Sequence, residues 1–186
     1  LEQQTTLLEG QVVWLQWTVR AIFDEKERLV EYQAVGRDIS ERVRFDLVHI
    51  VETAVKWVTK GARKDLQLAL DAAGPIEYRG HPGQLQQVVM NLVQNAVDAV
   101  AEVPTPRIDV TAGYNEHEVW VAVRDNGPGI DEDNLVRLFD PFFTTKPVGK
   151  GTGLGLSISY GIVADHGGSL VAANHAGGGA EFRVIL

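Results

Sequence analysis

The side chains best placed for chemistry are five polar residues spaced three and four apart in the segment after Pro82. They are Gln84, Gln87, Asn91, Asn95 and Asp98. This spacing, with apolar residues between, predicts a helix over residues 82–101 that has one polar face. Residues 82–97 contain no charge, although an ordinary exposed face would be rich in Lys and Glu, and asparagine is a poor helix former. Two amide oxygens one turn apart would suit a magnesium ion that already carries phosphate oxygens. The alternative is a tolerated polar face.

A glycine-containing turn, D-N-G-P-G, occupies residues 125–129 at the end of a predicted strand. A buried carboxylate at Asp125 could accept a hydrogen bond from an exocyclic amine such as that of adenine. Gly127 and Gly129 would let the backbone turn sharply and pass close to a flat base. Alone, the motif is equally compatible with a plain turn.

The second glycine cluster, G-K-G-T-G-L-G, spans residues 149–155 and precedes a predicted helix. A glycine-rich segment before a helix presents free backbone N–H groups and the positive end of the helix dipole to an anion. Lys146 and Lys150 add positive charge. The spacing fits neither the Rossmann fingerprint nor the Walker motif. We therefore expect a phosphate site of another kind.

An aromatic stretch, L-F-D-P-F-F-T-T-K, joins the two clusters over residues 138–146. Phe139, Phe142 and Phe143, flanked by proline and glycine, suggest an anchored hinge for a mobile lid. A small aromatic core patch is the alternative, above all for Phe139.

The elements that must position these residues follow a mixed α/β pattern from residue 44 onward. Asp46 is a candidate cap for the first helix. The remaining predicted elements are strands 65–71 and 76–79, helix 82–101, hairpin strands 107–112 and 118–124, helices 133–138 and 153–166, and strands 169–173 and 181–186.

The first 43 residues have a different, alternating pattern. Residues 11–24 and 29–38 read as two strands around a polar turn. A lone two-stranded hairpin is marginal in water. The run W-x-V-R-A-I-F-D, followed by G-R-D-I-S-E-R, resembles the last strands of a PAS sensory domain. We expect a domain boundary between residues 1–43 and 44–186. A hairpin without a sensory role is the alternative.

Composition excludes several functional classes. The 186 residues carry a formal charge of −8, which gives no electrostatic drive toward nucleic acid or an anionic membrane. The absence of cysteine excludes disulfides and thiolate chemistry. No apolar run approaches a membrane span of about 20 residues, and no signal-peptide pattern opens the chain. We expect a cytoplasmic domain without membrane contact, with a tether to the inner membrane through sequence outside this chain left open.

Four motifs in order resemble the nucleotide-binding domain of sensor histidine kinases. They are N-L-V-Q-N, D-N-G-P-G, F-D-P-F-F-T-T-K and G-T-G-L-G-L. The resemblance covers residues 44–186 and extends to DNA gyrase, the mismatch-repair ATPase and the heat-shock chaperone ATPase. The lid region is similar to kinases of the nitrogen-regulatory and dicarboxylate-sensing type. The resemblance to this family implies an α/β (α+β) two-layer sandwich of the Bergerat type. In this fold a mixed, largely antiparallel sheet is covered by about three helices, and here a PAS-type hairpin fragment would precede it.

The resemblance also implies residue roles, with ATP and Mg²⁺ as ligands. Asn95 would be the metal ligand, and Asn91 would stand where hydrolytic relatives have a water-activating glutamate. Asp125 would read the adenine amine, while Lys146 and Lys150 would face the phosphates; Asn91 and these lysines form the implied catalytic set. The remaining implied nucleotide-binding residues are Asp98, Gly127, Gly129, Phe142, Gly151, Thr152, Gly153, Leu154 and Gly155.

Two departures from the family pattern stand out. His81 occupies a position where many relatives have aspartate, and we expect this to change a surface contact only. The run G-G-G-A-E at residues 177–181 lacks the Ser or Thr that some members place by the adenine. A water or a backbone contact would have to substitute.

No histidine in the chain carries the acceptor signature H-[ED]-x-x-[NR]-P. We therefore expect the phosphate acceptor on a dimerisation hairpin outside this sequence, with a response-regulator receiver domain as partner and a homodimer as the intact assembly. A nucleotide-binding or sensory module without transfer activity is the alternative. A free-standing ATPase is disfavoured, because the Asn91 amide cannot act as a general base.

Overall fold

The computed structural model describes residues 2–6, 12–23, 29–38, 42–146 and 151–186. The strands are β1 (Glu2–Thr6), β2 (Val12–Phe23), β3 (Leu29–Asp38), β4 (Val43–Asp46), β5 (Gln67–Ala72), β6 (Glu77–Gly80), β7 (Arg107–Tyr114), β8 (Val119–Asp125), β9 (Ser169–Asn174) and β10 (Ala180–Ile185). The helices are α1 (Leu47–Thr59), α2 (Pro82–Ala99), α3 (Glu132–Leu135) and α4 (Gly155–Asp165). Each predicted helix and strand from residue 44 onward is present, with ends shifted by a few residues.

A five-stranded mixed sheet, in the order β5-β7-β8-β10-β9, forms the centre of the fold. β5 runs parallel to β7, and the other neighbours are antiparallel. Ile108 pairs with Asp125 in the β7–β8 ladder, which sets the register of that hairpin. The sheet is therefore mixed and largely antiparallel, as predicted.

Three helices cover one face of this sheet. α2 contacts α1, α4 and β8, and α4 contacts β9, so α2 lies at the centre of the helical layer. Val88, Leu92 and Val93 of α2 are fully or almost fully buried in one cluster with Val121 and Val123 of β8. α3 is a single turn. The two-layer α/β sandwich predicted from the resemblance is confirmed.

The start of α1 is fixed by Asp46, as its pattern predicts. Its Oδ1 accepts hydrogen bonds from the backbone N–H groups of Val48 and Ile76, each at 3.0 Å. The sequence did not indicate β4, which pairs with β6 in a separate two-stranded sheet. Asp46 thus caps a helix and joins two distant segments.

Two histidines tie the beginning of α2 to the end of α4. The His81 backbone N–H donates to Nε2 of buried His166 at 3.0 Å, so the proton of His166 is on Nδ1, which donates to the Ile162 carbonyl at 2.7 Å. Burial lowers the pKa of His166 and favours this neutral form. The two rings meet edge to face, with centroids 5.4 Å apart. His81 was expected to alter only a surface contact, but it is half-buried and lies between two helices.

The N-terminal strands form their own antiparallel sheet in the order β1-β2-β3. The predicted hairpin is present as β2 and β3, and β1 was not predicted. The PAS origin of this segment stays a prediction. None of the helices in the described ranges is long and apolar enough to cross a membrane.

Candidate functional site

The candidate site is built along one face of the second half of α2. Asn91 and Asn95 are half-buried there, one turn apart, and Asp98 is exposed at the next turn. Gln84, at the beginning of the same polar stripe, has only 4% of its surface exposed and belongs to the interior. The three residues Asn91, Asn95 and Asp98 are called the amide face below.

Asn91 joins the amide face to the first turn of α4. Its Nδ2 donates to the Gly155 carbonyl and to Ser159 Oγ, each at 3.1 Å. Ser159 is fully buried, and its hydroxyl donates to the same Gly155 carbonyl at 2.8 Å. Ser159 was not predicted as a site residue, because its partner Asn91 lies on a helix more than 60 residues away along the chain.

Lys146 reaches from the loop after the aromatic stretch to the amide face. Its ammonium forms an ion pair with Asp98 and lies 3.4 Å from Oδ1 of Asn95. The predicted metal ligand therefore already contacts a cationic group. Lys150, the second predicted phosphate-facing lysine, lies outside the described residues.

The two ends of the predicted lid are joined at Phe142 and Gly153. The Phe142 backbone N–H donates to the Gly153 carbonyl at 2.9 Å. Phe142 has φ 68°, a left-handed conformation that is uncommon for an aromatic residue. A Cβ on Gly153 would lie 2.4 Å from the Phe142 carbonyl carbon, so only glycine fits there. The hinge for a mobile lid stays a prediction.

The other aromatic residues of the stretch pack locally. The Phe139 ring lies 5.3 Å from that of Tyr160 on α4, and Phe139 packs against the core. The Arg137 guanidinium lies 5.0 Å from the Phe143 ring centroid. Phe139 thus fits the core-patch alternative, whereas Phe142 is at the junction.

The glycine-rich segment leads into α4 without a side-chain cap. α4 begins at Gly155 after Leu154, and no side chain caps that end. The Leu154 N–H points to Thr152 Oγ at 3.4 Å. Gly151 is half-buried beside Thr144 and Lys146. The beginning of α4 therefore lies beside the amide face, because Asn91 bonds the Gly155 carbonyl. The first N–H groups of a helix have no partner within the helix and can bind an anion.

Asp125 is the buried carboxyl group of the site, with 4% of the residue exposed. Its Oδ1 accepts from the backbone N–H groups of Gly127 at 2.8 Å and Ala180 at 3.4 Å. Burial raises its pKa, and these two hydrogen bonds oppose the rise. No described residue donates to Oδ2. Ala180 belongs to the segment that lacks the family's Ser or Thr, so a backbone contact is present there.

The turn after Asp125 lies against the end of α2. A Cβ on Gly127 would approach the Ala99 carbonyl oxygen to 2.9 Å. Gly129 is held indirectly by Asn174 at the end of β9, whose amide bonds both backbone groups of Ile130, at 2.7 Å and 2.6 Å. Asn174 was not predicted as a site residue, although an asparagine at a strand end is a recurrent loop brace.

The Asp125 turn thus lies against Ala99 at the end of α2, and the Lys146 ammonium contacts Asp98 and Asn95 of the same helix. The region bordered by these groups and the amide face is called the cleft below. Among the described residues, no three His, Asp or Glu side chains group into a metal cluster. A cation here would depend on amide oxygens, one carboxylate and its own ligands. A mixed sheet under three helices, with this cleft, defines a nucleotide-binding ATPase domain.

Comparison with known proteins agrees with that class. Residues 80–186 match the family described as histidine kinase-, DNA gyrase B-, and HSP90-like ATPase, and the chain belongs to this family. The C4-dicarboxylate transport sensor protein DctB of Pseudomonas aeruginosa is 40% identical over 161 residues, which cover 85% of this chain and 26% of DctB. The chain therefore spans about a quarter of the length of that relative.

Two solved structures have a similar fold. The nucleotide-free catalytic domain of histidine kinase ThkA gives a TM-score of 0.70 at 30% identity, covering 79% of this chain and 97% of that domain. ThkA in complex with response regulator protein TrrA gives a TM-score of 0.67 at 28% identity, covering 78% of this chain and 41% of that one. The isolated ThkA domain is thus matched almost from end to end, by about four fifths of this chain.

Proposed function

We propose that the chain is the ATP-binding catalytic domain of a two-component sensor histidine kinase. It would transfer the γ-phosphoryl group of ATP to a histidine on a dimerisation hairpin outside this sequence. The observation that carries the proposal is the pair of amides on α2, with Lys146 bonded to the same helix face and the Asp125 turn against the end of the same helix. That arrangement matches a triphosphate held between a polar helix face and a base-reading carboxylate.

In this function Asp125 recognises the base. Oδ1 is occupied by two backbone N–H groups, so Oδ2 is the atom left to accept from the adenine amine. The close approach of Gly127 to α2 leaves no room for a side chain at that border, and Gly129 continues the turn. A buried acceptor of this kind favours an amino-purine over a base without the amine.

The amide face and Lys146 hold the phosphate end. Asn95 Oδ1 and Asp98 already hold one cation, the Lys146 ammonium, so this donor set fits a cation. We propose Asn95 and Asn91 as the residues that hold Mg²⁺, which when bound neutralises phosphate charge. Lys146 and Lys150 are then free to contact phosphate oxygens, beside the N–H groups of residues 151–155.

Asn91 favours transfer of the γ-phosphoryl group to histidine over hydrolysis of ATP by water. An amide cannot remove a proton from water, so bound ATP is spared until a histidine arrives. In the transfer, a nitrogen of the acceptor imidazole bonds to the γ-phosphorus as the bond to the β-phosphate oxygen breaks, and ADP leaves. The contribution of this chain is positioning and charge neutralisation.

The proposed partners follow from the relatives. ThkA has been solved with a response regulator, which supports a receiver domain as the partner here. We further propose a homodimer for the intact protein and a cytoplasmic location, since ATP and receiver domains are found there. A membrane tether would lie outside this sequence.

A reconstituted transfer assay tests the proposal. The full chain is incubated with Mg²⁺, γ-labelled ATP and a separately produced dimerisation hairpin of a sensor histidine kinase. We expect acid-labile label on the hairpin, and at least a tenfold loss with Asn95→Ala, which removes a charge-assisted ligand. A hairpin whose histidine is replaced by glutamine is the control.

Titration calorimetry with Mg²⁺ and a non-hydrolysable ATP analogue completes the test. Tight binding without label on any hairpin would favour the binding-module alternative. Rapid phosphate release without a hairpin would instead favour a free-standing ATPase.

A further inference from the structure

The amide of Asn91 can face the cleft with either its oxygen or its nitrogen, and only the oxygen can hold a cation. The two orientations differ by a half-turn of the side-chain amide and have nearly the same shape. The groups that contact the other side of the amide therefore decide whether its oxygen or its nitrogen faces the cleft. Behind it are the Gly155 carbonyl and Ser159 Oγ.

The Asn91 amide, the Gly155 carbonyl and Ser159 Oγ are called the node below, and Ser159 sets the directions of their hydrogen bonds. Its hydroxyl proton is committed to the Gly155 carbonyl at 2.8 Å, so toward Asn91 the Ser159 oxygen can only accept. The Gly155 carbonyl is also only an acceptor. Two acceptors select the NH₂ group of Asn91, and a rotated amide would bring its oxygen against both of them.

The node is closed to water, which makes this selection strong. Ser159 has 0% of its surface exposed, so no solvent molecule replaces its hydroxyl. Asn91 is half-buried, and no described residue donates to its Oδ1. That oxygen is therefore available to a ligand.

We propose that Ser159 is a positioning residue for the nucleotide site, which locks the Asn91 amide with Oδ1 toward the cation that accompanies the triphosphate. The inference rests on the proposed function, because it assumes that Asn91 Oδ1 serves Mg²⁺·ATP. Ser159 itself touches neither the nucleotide nor the cation.

The test is a double-mutant cycle on the full chain, with Asn91→Ala, Ser159→Ala and both together. Binding of the ATP analogue AMPPNP is measured by calorimetry in Mg²⁺ and again in EDTA. In Mg²⁺ we expect Ser159→Ala to weaken binding about three- to tenfold, as loss of one buried hydrogen bond allows. In EDTA its affinity stays within about twofold of wild type, which also shows that the fold is intact.

Ser157→Ala is the matched control. It removes a serine hydroxyl from the same helix, but Ser157 Oγ donates to the Leu154 carbonyl and has no hydrogen bond to Asn91. We expect Ser157→Ala to leave the Mg²⁺-dependent part of binding unchanged. Ser159→Cys, which keeps a weaker acceptor of similar size, should recover part of the loss.

The decisive comparison is the effect of Ser159→Ala when Asn91 is already alanine. If Ser159 acts through Asn91, the second substitution then changes Mg²⁺-dependent affinity by less than about twofold. A loss of the same size in both backgrounds, or an equal loss in EDTA, would show that Ser159 only supports the helix. If Asn91→Ala itself has no effect in Mg²⁺, the assignment of Asn91 to the cation fails first, and the role of Ser159 fails with it.

Discussion

At the scale of single residues, the site depends on a carboxyl group that the fold keeps away from water. Asp125 is almost fully buried, and two backbone N–H groups offset only part of the loss of hydration. Its pKa is raised above 3.8, so the folded state binds this proton more tightly than the unfolded chain does. The stability that the protonated form contributes is therefore lost as pH rises from about 3.8 through the folded pKa.

Asp125→Asn should separate stability from binding. The amide keeps an oxygen for the Gly127 and Ala180 N–H groups and removes the buried charge, so we expect at pH 7 an unchanged Tm or a rise of about 2–4 °C. Its NH₂ group then faces the adenine amine, donor against donor, and affinity should fall at least tenfold. Thermal unfolding between pH 4 and 8 and calorimetry measure the two effects.

Asp109→Asn is the control for that substitution. Asp109 is half-buried on β7 and pairs with Arg107, remote from the amide face. Its replacement should leave nucleotide affinity unchanged. If Asp125→Asn bound the nucleotide normally, or lowered the Tm by several degrees, the buried carboxylate would be a structural group and not a base reader.

At the scale of elements, the D-N-G-P-G turn depends on a brace from another strand. Asn174 accepts from the Ile130 N–H and donates to the Ile130 carbonyl, as a paired strand residue would. Asn126 is held from the other side, because its amide accepts from the Arg107 N–H and donates to the Thr105 carbonyl, and residues 127–129 have no regular structure. The end of β9 therefore helps to place the backbone beside the adenine.

Asn174→Ala should leave the D-N-G-P-G turn less ordered. Loss of two exposed hydrogen bonds is expected to lower stability by about 1 kcal/mol and to weaken nucleotide binding several-fold, because the turn must then be ordered on binding. Asn115→Ala is the matched control, since the Asn115 side chain also makes two hydrogen bonds to the backbone, accepting from the N–H groups of His117 and Glu118 at the opposite end of β8. Equal losses of affinity in both variants would argue against a local role for Asn174.

The comparison of sequence and structure shows which elements have a local signal. α2 was predicted because its apolar and polar residues alternate with helical period over five turns, and Asp46 because a cap acts on its own helix. β4 was missed because its four residues gain regular structure only by pairing with β6, about 30 residues away. β1 pairs with the next strand, β2, and was missed because its residues, E-Q-Q-T-T, include no apolar side chain that would give a strand pattern.

The same distinction applies to the site. Asn91, Asn95 and Asp125 were identified because each lies in a short motif whose residue types are unusual for the element. Ser159 and Asn174 were not, because each becomes informative only through a partner that the fold brings to it. Burial of Gln84, and the position of His81 between two helices, depend on packing in the same way.

At the scale of the whole molecule, the ATPase domain has a core of its own. Buried apolar side chains between Leu47 and Val184, from both the helices and the central sheet, form one hydrophobic cluster. Val43 pairs with Gly80, and the Arg42 guanidinium donates to the Asp165 carbonyl. We propose that the domain boundary lies before Arg42, and the division into two domains stays a prediction.

Truncation tests this boundary. A chain of residues 42–186 should unfold cooperatively, because it keeps the five-stranded sheet, its helices and the β4–β6 pair. With Mg²⁺·AMPPNP at about 100 times its Kd, it should gain about 2.7 kcal/mol, as the full chain does. A chain of residues 47–186 lacks β4 and the Asp46 cap, so it should be less stable by about 1–3 kcal/mol while keeping the amide face. Thermal unfolding with and without ligand measures all three chains. One result would contradict the division into two domains. If the chain of residues 42–186 bound the nucleotide more than about tenfold more weakly than the full chain, the first 41 residues would contribute to the site.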